Sequence, residues 1–191
     1  MMRTAVLLLA MLAVVPAAAQ TTQPYAGQQD RAISGLSEQR IEGLRAGRGL
    51  GYAKAAELNG WPGPMHVLEL ADQLGLDPEV RAKVEAIRAE MLSQSVPLGE
   101  KLIEAEMALD KLFTDGTPEA GAVHAATLRI GEIESRLRAA HLVAHVKTRP
   151  LLTDEQRAIY ARERGYGRHH GKGSHGKGHH QRGHGHGHGQ D

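Results

Sequence analysis

The chain has 191 residues, a length that fits one domain with additional segments. Lys plus Arg number 23 against 22 Asp plus Glu, and this near-neutral balance argues against nucleic acid as a partner. There is no cysteine, which excludes disulfide bonds, lipid attachment through cysteine and thiolate metal sites, so a metal site needs nitrogen or oxygen ligands.

The N-terminus has the pattern of a secretory signal peptide. Arg3 supplies a short positive region, residues 5–15 form an apolar run, and Ala17-Ala18-Ala19 form a small-residue cleavage site. The apolar run is about half of the roughly 20 residues that a membrane-spanning helix needs. We therefore expect residues 1–19 to be a cleaved export signal, with a retained anchor as the alternative, and no membrane-spanning segment after cleavage.

Two helices are predicted in the first part of the exported chain. After an N-terminal segment of residues 20–36, Ser37 is suited to cap a helix that carries Ile41 and Leu44 and continues to Leu58. Glycines weaken this helix by up to about 1 kcal/mol each. A turn cluster follows, and a second apolar pattern then predicts a helix of about ten residues. Its apolar positions are Met65, Leu68, Ala71 and Leu74.

A helix of about 35 residues is predicted from Pro78, because apolar residues recur at steps of three, four or seven. Asp77 is a natural N-cap for it, and Pro78 suits its first position. Pro97 lies inside the pattern without changing its phase, so we expect a kinked but continuous helix. The apolar stripe consists of Val80, Val84, Ile87, Met91, Leu98, Leu102, Leu109 and Leu112.

A second long helix follows the turn at residues 115–118 and ends at Arg149-Pro150. Two long helices joined by a tight turn form an antiparallel hairpin. Thr153 and Gln156 then have the spacing of a capping box, which opens a short last helix toward Arg164. The stripe of the second long helix consists of Val123, Ala126, Ile130, Ile133, Leu137, Ala140 and Ala144.

The predicted fold is therefore all-α. It consists of a long antiparallel helical hairpin with shorter flanking helices over residues 37–164, followed by a disordered tail over residues 165–191.

The tail holds eight of the twelve histidines and ten glycines. Such a composition cannot bury a core, which predicts disorder. Imidazole nitrogens on a glycine-rich backbone suit divalent Zn, Ni, Cu or Co, so we interpret the tail as a metal-binding element, with a soluble tail of pH-dependent charge as the alternative. The candidate ligands are His169, His170, His175, His179, His180, His184, His186 and His188.

A second candidate metal site lies on the second long helix. His141 and His145 are one helical turn apart, and Glu134 falls on the same line. A histidine pair at this spacing can chelate one metal ion, with the carboxylate or a partner helix completing the shell. The alternative is that these are ordinary polar residues at the edge of the apolar stripe. Nothing in the sequence resembles a catalytic set, so we expect no enzyme.

The segment Leu152-Thr153-Asp154-Glu155-Gln156 matches an L-T-x-x-Q motif, and on it the chain resembles the Spy/CpxP family of periplasmic proteins. The family often carries an earlier copy before the hairpin. Here the corresponding residues 76–80 keep the leucine and a capping side chain but have Asp in place of Thr and Val in place of Gln. The resemblance extends over roughly residues 65–164, together with the export signal.

The resemblance implies a curved, all-helical, antiparallel homodimer in the periplasm, without an organic cofactor. Some members are ATP-independent chaperones of unfolding envelope proteins, and relatives of the ZraP and CnrX type bind zinc or sense nickel and cobalt. The motif residues Leu152, Thr153 and Gln156 are carried over as structural residues, and His141 and His145 as candidate ligands.

The expected function is that of a periplasmic metal-binding protein in heavy-metal tolerance or sensing and in the envelope-stress response, with ATP-independent chaperone activity. The alternatives are a metal-independent holdase chaperone and a regulatory dimer that acts on a membrane sensor, each with an incidental tail.

Overall fold

The computed structural model describes residues 23–166, and every regular element in this range is helical. A 3-10 turn, Arg149–Leu151, precedes the last helix. None of the helices in this range is long and apolar enough to cross a membrane. The signal peptide predicted at residues 1–19 and the eight tail histidines lie outside the described residues. The helices are α1 (Glu38–Arg45), α2 (Lys54–Glu57), α3 (Pro64–Glu69), α4 (Pro78–Thr114), α5 (Ala120–Thr148) and α6 (Asp154–Glu163).

The long helix predicted from Pro78 is confirmed as α4. The Asp77 carboxylate accepts a 2.8 Å hydrogen bond from the backbone N–H of Glu79, which satisfies one of the free donors at the helix start. The helix continues through Pro97 without a break. Since proline has no backbone N–H, the carbonyl of Ser93 loses its helical partner at this point.

The helices α4 and α5 pack against one another and carry the first apolar core. Leu102 of α4 and Ile133 and Leu137 of α5 are almost fully buried, and each such side chain contributes about 1.5–3 kcal/mol. Farther along the pair, Lys147 Nζ lies 2.6 Å from a carboxylate oxygen of Glu90. The remaining buried members of this core are Ile33, Leu36, Leu44, Tyr52, Leu98 and Ile103.

A second apolar core fixes the C-terminal helix. Leu152 and Tyr160, on either side of the start of α6, pack with Val67 of α3, with Leu74 and with Val84 of α4. All five side chains are buried. The last helix is thus held by residues that lie some 70 to 90 positions earlier in the chain.

The prediction of one helix from Ser37 to Leu58 is wrong. Ser37 does cap α1, but the helix ends at Arg45 and α2 begins only at Lys54. Gly47 and Gly51 adopt φ values of +61° and +84°, which lie in the left-handed region that glycine enters at low cost. The glycines therefore end the helix in a turn rather than merely weakening it.

The helix predicted over residues 65–74 is shorter than expected. The helix α3 ends at Glu69, and a turn with a 2.9 Å bond from the N–H of Leu74 to the carbonyl of Leu70 follows. Gly75, at φ +55°, then reverses the chain toward Asp77. The apolar residues Ala71 and Leu74 are still buried, as the pattern predicted, but from a turn.

Replacing Gly99 by alanine should loosen the contact between α1 and α4. An ideal Cβ on Gly99 would lie 2.4 Å from the carbonyl oxygen of Leu44, so the two backbones must separate. We expect the free energy of unfolding to fall by about 2 kcal/mol in urea denaturation. The matched control is Gly131→Ala in α5, where the added Cβ meets no described atom within 4 Å. This change should raise the free energy of unfolding by about 1 kcal/mol, because alanine favours a helix more than glycine does. Equal effects of the two changes on the free energy of unfolding would contradict the close crossing of α1 and α4.

Candidate functional site

The two helix histidines lie on the inner face of α5. His141 is 3% exposed and His145 is 8% exposed, so neither is an ordinary residue at the polar edge of the helix. Burying an imidazole requires partners for its nitrogen atoms. Their contacts therefore decide what the pair can do.

Glu134, the third predicted ligand, is engaged elsewhere. Its Oε1 accepts a 3.0 Å hydrogen bond from the guanidinium of Arg40 and a 3.4 Å bond from the hydroxyl of Tyr52. The Arg40 guanidinium also lies 5.8 Å from the centre of the Tyr52 ring. A metal ion would have to compete with this ion pair for the carboxylate of Glu134.

His145 is oriented by the segment between α2 and α3. Its Nδ1 donates a 2.7 Å hydrogen bond to the backbone carbonyl of Trp61, so the proton of the neutral ring is on Nδ1 and the lone pair is on Nε2. A backbone carbonyl in this role is a common partner of metal-ligating histidines. However, an ideal Cβ on Gly63 would lie only 2.6 Å from Nε2. A ligand at Nε2 therefore requires this segment to move.

His141 stacks on an aromatic ring and leaves one nitrogen without a partner. Its imidazole lies parallel to the ring of Tyr52, with centroids 5.9 Å apart. Its Nε2 is buried and has no hydrogen-bond partner among the described residues. Burial, and to a smaller extent the nearby His145, lower the pKa of His141 below its usual 6.5. The ring is therefore neutral and carries a free lone pair at neutral pH.

The described residues contain no group of three or more His, Asp or Glu side chains arranged to hold a metal ion. The histidine pair offers two nitrogen donors, and a zinc site normally uses three or four protein ligands. A metal ion at His141 and His145 would thus need further ligands from outside residues 23–166 or from another chain. The predicted site of His141, His145 and Glu134 stays a prediction.

No family model, curated protein or solved structure matches this chain. The Spy/CpxP likeness accordingly rests on the L-T-x-x-Q motif and its setting.

The motif residues have defined structural roles. Gln156 donates its backbone N–H to Thr153 Oγ1 at 3.2 Å, and its side-chain oxygen accepts the N–H of Thr153 at 3.0 Å. The predicted capping box is thereby confirmed. In addition, Gln156 Nε2 donates a 3.1 Å bond to the carbonyl of Leu74, while Leu152 is buried in the second core. The motif joins the start of α6 to the turn after α3.

Sequence reasoning missed Glu57, which anchors the end of the described chain. Its Oε1 accepts hydrogen bonds from Tyr160 at 2.6 Å, Arg164 at 3.2 Å and Tyr166 at 3.3 Å. Its Oε2 is buried, has no hydrogen bond from any residue in the range 23–166, and lies 3.8 Å from His145 Nδ1. Burial, with the hydrogen bond to Glu57, raises the pKa of the Tyr160 phenol. A single carboxylate in a four-residue helix carries no pattern that could have revealed this role.

Substitutions at Gln156 separate the two contacts of its side chain, one with the N–H of Thr153 and one with the carbonyl of Leu74. Gln156→Ala removes both, and we expect the free energy of unfolding to fall by about 2 kcal/mol. Gln156→Glu keeps an acceptor for Thr153 but removes the donor to Leu74, and should cost about half as much. Urea denaturation of the full chain measures both values. A Gln156→Glu variant as stable as the parent would contradict the contact with Leu74.

The buried His141 should make stability depend on pH. Because its pKa is lowered in the folded state, the unfolded chain binds a proton more readily, so stability is complete above pH 6.5 and falls as pH drops toward the lowered value. His141→Phe keeps a ring against Tyr52 and should flatten this dependence between about pH 7 and pH 5. Thermal unfolding in the presence of a chelator measures it. The control His124→Phe changes an exposed histidine and should leave the pH dependence of stability unchanged. The same pH dependence in the parent and in both variants would show that His141 is not its source.

Proposed function

We propose that the protein is an exported, non-enzymatic metal-binding protein of the Spy/CpxP type. It captures divalent Zn, Ni, Cu or Co in the periplasm and acts in heavy-metal tolerance or sensing. The observation that carries the proposal is the presence of eight histidines within the last 27 residues. Neutral imidazole is the ligand that these ions share.

Several features of the folded part support the Spy/CpxP comparison. Glu90 in the first half of α4 pairs with Lys147 near the end of α5, and Leu102 in the second half of α4 belongs to the same core as Ile133 in the first half of α5. Contacts in this order support the antiparallel hairpin that is part of the proposal. The capping box of Thr153 follows it directly. A homodimer is part of the same proposal and follows from the resemblance alone.

The second source of metal ligands is the histidine pair of α5. His141 has a buried nitrogen without a partner among the described residues. The Trp61 carbonyl holds His145 in the tautomer that leaves the lone pair on Nε2, and the segment at Gly63 must move before that nitrogen can bind an ion. The pair would contribute nitrogen donors to a bound ion, whereas the tail is proposed as the main site of capture.

Removal of the tail imidazoles should abolish most metal uptake. In the full exported chain, we replace all eight tail histidines by asparagine and titrate nickel or zinc by calorimetry at pH 7.5. We expect the variant to lose most of the bound ions, because glycine and asparagine offer no comparable ligand. Equal metal uptake by the parent and this variant would exclude the tail as the main site of metal capture.

Two further variants complete the titration. His141→Asn/His145→Asn keeps a side-chain donor near the Trp61 carbonyl but removes both imidazole lone pairs; a loss of one ion supports the helix site, and unchanged uptake excludes it. His66→Asn/His124→Asn is the matched control, because His66 pairs with Glu69 and His124 is exposed. The control should bind as the parent does.

Chaperone activity is the second candidate function. Large apolar side chains lie exposed near the connection of α4 and α5: Met107 is 52%, Phe113 is 58% and Leu128 is 61% exposed. Exposed apolar groups of this size suit transient contacts with unfolded chains. Full suppression of client aggregation with a chelator present would favour a metal-independent holdase over the metal-dependent role.

A further inference from the structure

An open groove of about 410 Å³ runs between α4 and α5. Its volume falls within the usual range of ligand sites, which are mostly apolar with a few placed polar groups and often lie between helices. Neither the histidine pair nor Glu57 lines it, so the groove is separate from the candidate metal site. The apolar side chains along it are Ile87, Met91, Leu98, Ala140, Val143 and Ala144.

Small residues on α5 create the groove. Ala139, Ala140 and Ala144 face α4 where larger side chains would close the gap between the helices. Opposite them, Pro97 presents a compact ring at the point where α4 lacks a backbone hydrogen bond. The result is a trough with a mostly apolar lining along two long, continuous helices.

The two ends of the groove differ in charge. At one end, the cationic residues Lys101 of α4 and Arg136 of α5 are among those that line it. Arg136 has only a loose contact, 4.0 Å, with Glu132. At the other end, Glu90 and Lys147 also line the groove and neutralise each other through bonds of 2.6 and 2.7 Å. Excess positive charge is therefore confined to the end with Lys101 and Arg136.

We propose that this groove binds a single long-chain carboxylate, with the carboxylate between Lys101 and Arg136 and the hydrocarbon chain over the alanines. Eleven residues separate Glu90 from Lys101, which corresponds to about 16 Å along a helix. An extended acyl chain fits a narrow trough of this length. The opposite end has no excess positive charge, because Glu90 and Lys147 neutralise each other there, and this difference fixes the direction of the ligand.

A peptide fits the groove less well. Apart from its charged residues, the groove has only Ser93 and Gln94 of α4 as polar lining residues. They can pair few of the backbone N–H and carbonyl groups of a peptide, and leaving such groups unpaired is costly. A hydrocarbon chain has no such groups and gains about 0.8 kcal/mol for each CH₂ it buries. The single charged end of the ligand lies between Lys101 and Arg136. Among the described residues that line the groove, these are the two cations without a hydrogen bond to an acid.

Calorimetric titration of the full chain with myristate, below the concentration at which it forms micelles, tests the proposal. We expect one myristate per chain in the groove and clearly weaker binding of tetradecanol, which has the same chain without the charge. Lys101→Gln/Arg136→Gln should weaken myristate binding about tenfold. Ala139→Phe adds bulk at an exposed position in the groove and should reduce binding by a similar factor.

The control variant Arg81→Gln/Lys83→Gln removes the same kinds of charge from α4 outside the groove, where they pair with Glu85 and Glu79. It should bind myristate as the parent does. The proposal is overturned if tetradecanol binds as tightly as myristate, if the groove and control variants bind equally, or if an acidic amphipathic peptide binds in the groove while myristate does not.

Discussion

The structure depends on the inner face of α5, which packs along α4; α2 is attached to α5, while α1 and α3 are attached mainly to α4. Ile133 and Leu137 join this face to α4 and to the segment around Tyr52, while Thr148 satisfies its buried hydroxyl within the helix, on the carbonyl of Ala144. Between them, two imidazoles are buried in place of apolar side chains, and one is held by the carbonyl of Trp61. Because buried polar groups need partners, this face constrains where α2 and α3 can lie.

The long helices could be predicted from the sequence because their signals are local. Asp77 and Pro78 define the start of α4, Thr153 and Gln156 define the start of α6, and the apolar periods continue through Pro97. The glycine segment at residues 43–51 could not be read correctly, since propensity gives only a cost per glycine. Whether the chain turns there depends on tertiary contacts, such as the fit of Gly47 against Leu92 and Ser95 of α4.

The candidate site was predictable only in part, for a related reason. Helical spacing brings His141 and His145 to one face, but it does not reveal that Glu134 pairs with Arg40, a residue 94 positions away. In the same way, Glu57 joins donors that follow it by more than 100 residues. Those contacts hold Tyr166, the last described residue, beside α2, and the histidine-rich segment follows it in the sequence.

In the proposed function, imidazole nitrogen captures the metal ion, rather than the carboxylates that are abundant on the helices. X-ray absorption at the metal edge of the full exported chain, loaded with nickel or zinc and dialysed, tests this claim most directly. We predict a first shell of nitrogen atoms together with the outer-shell scattering that imidazole rings produce. A shell of oxygen atoms without imidazole scattering, or a chain that emerges from dialysis without metal, would contradict it.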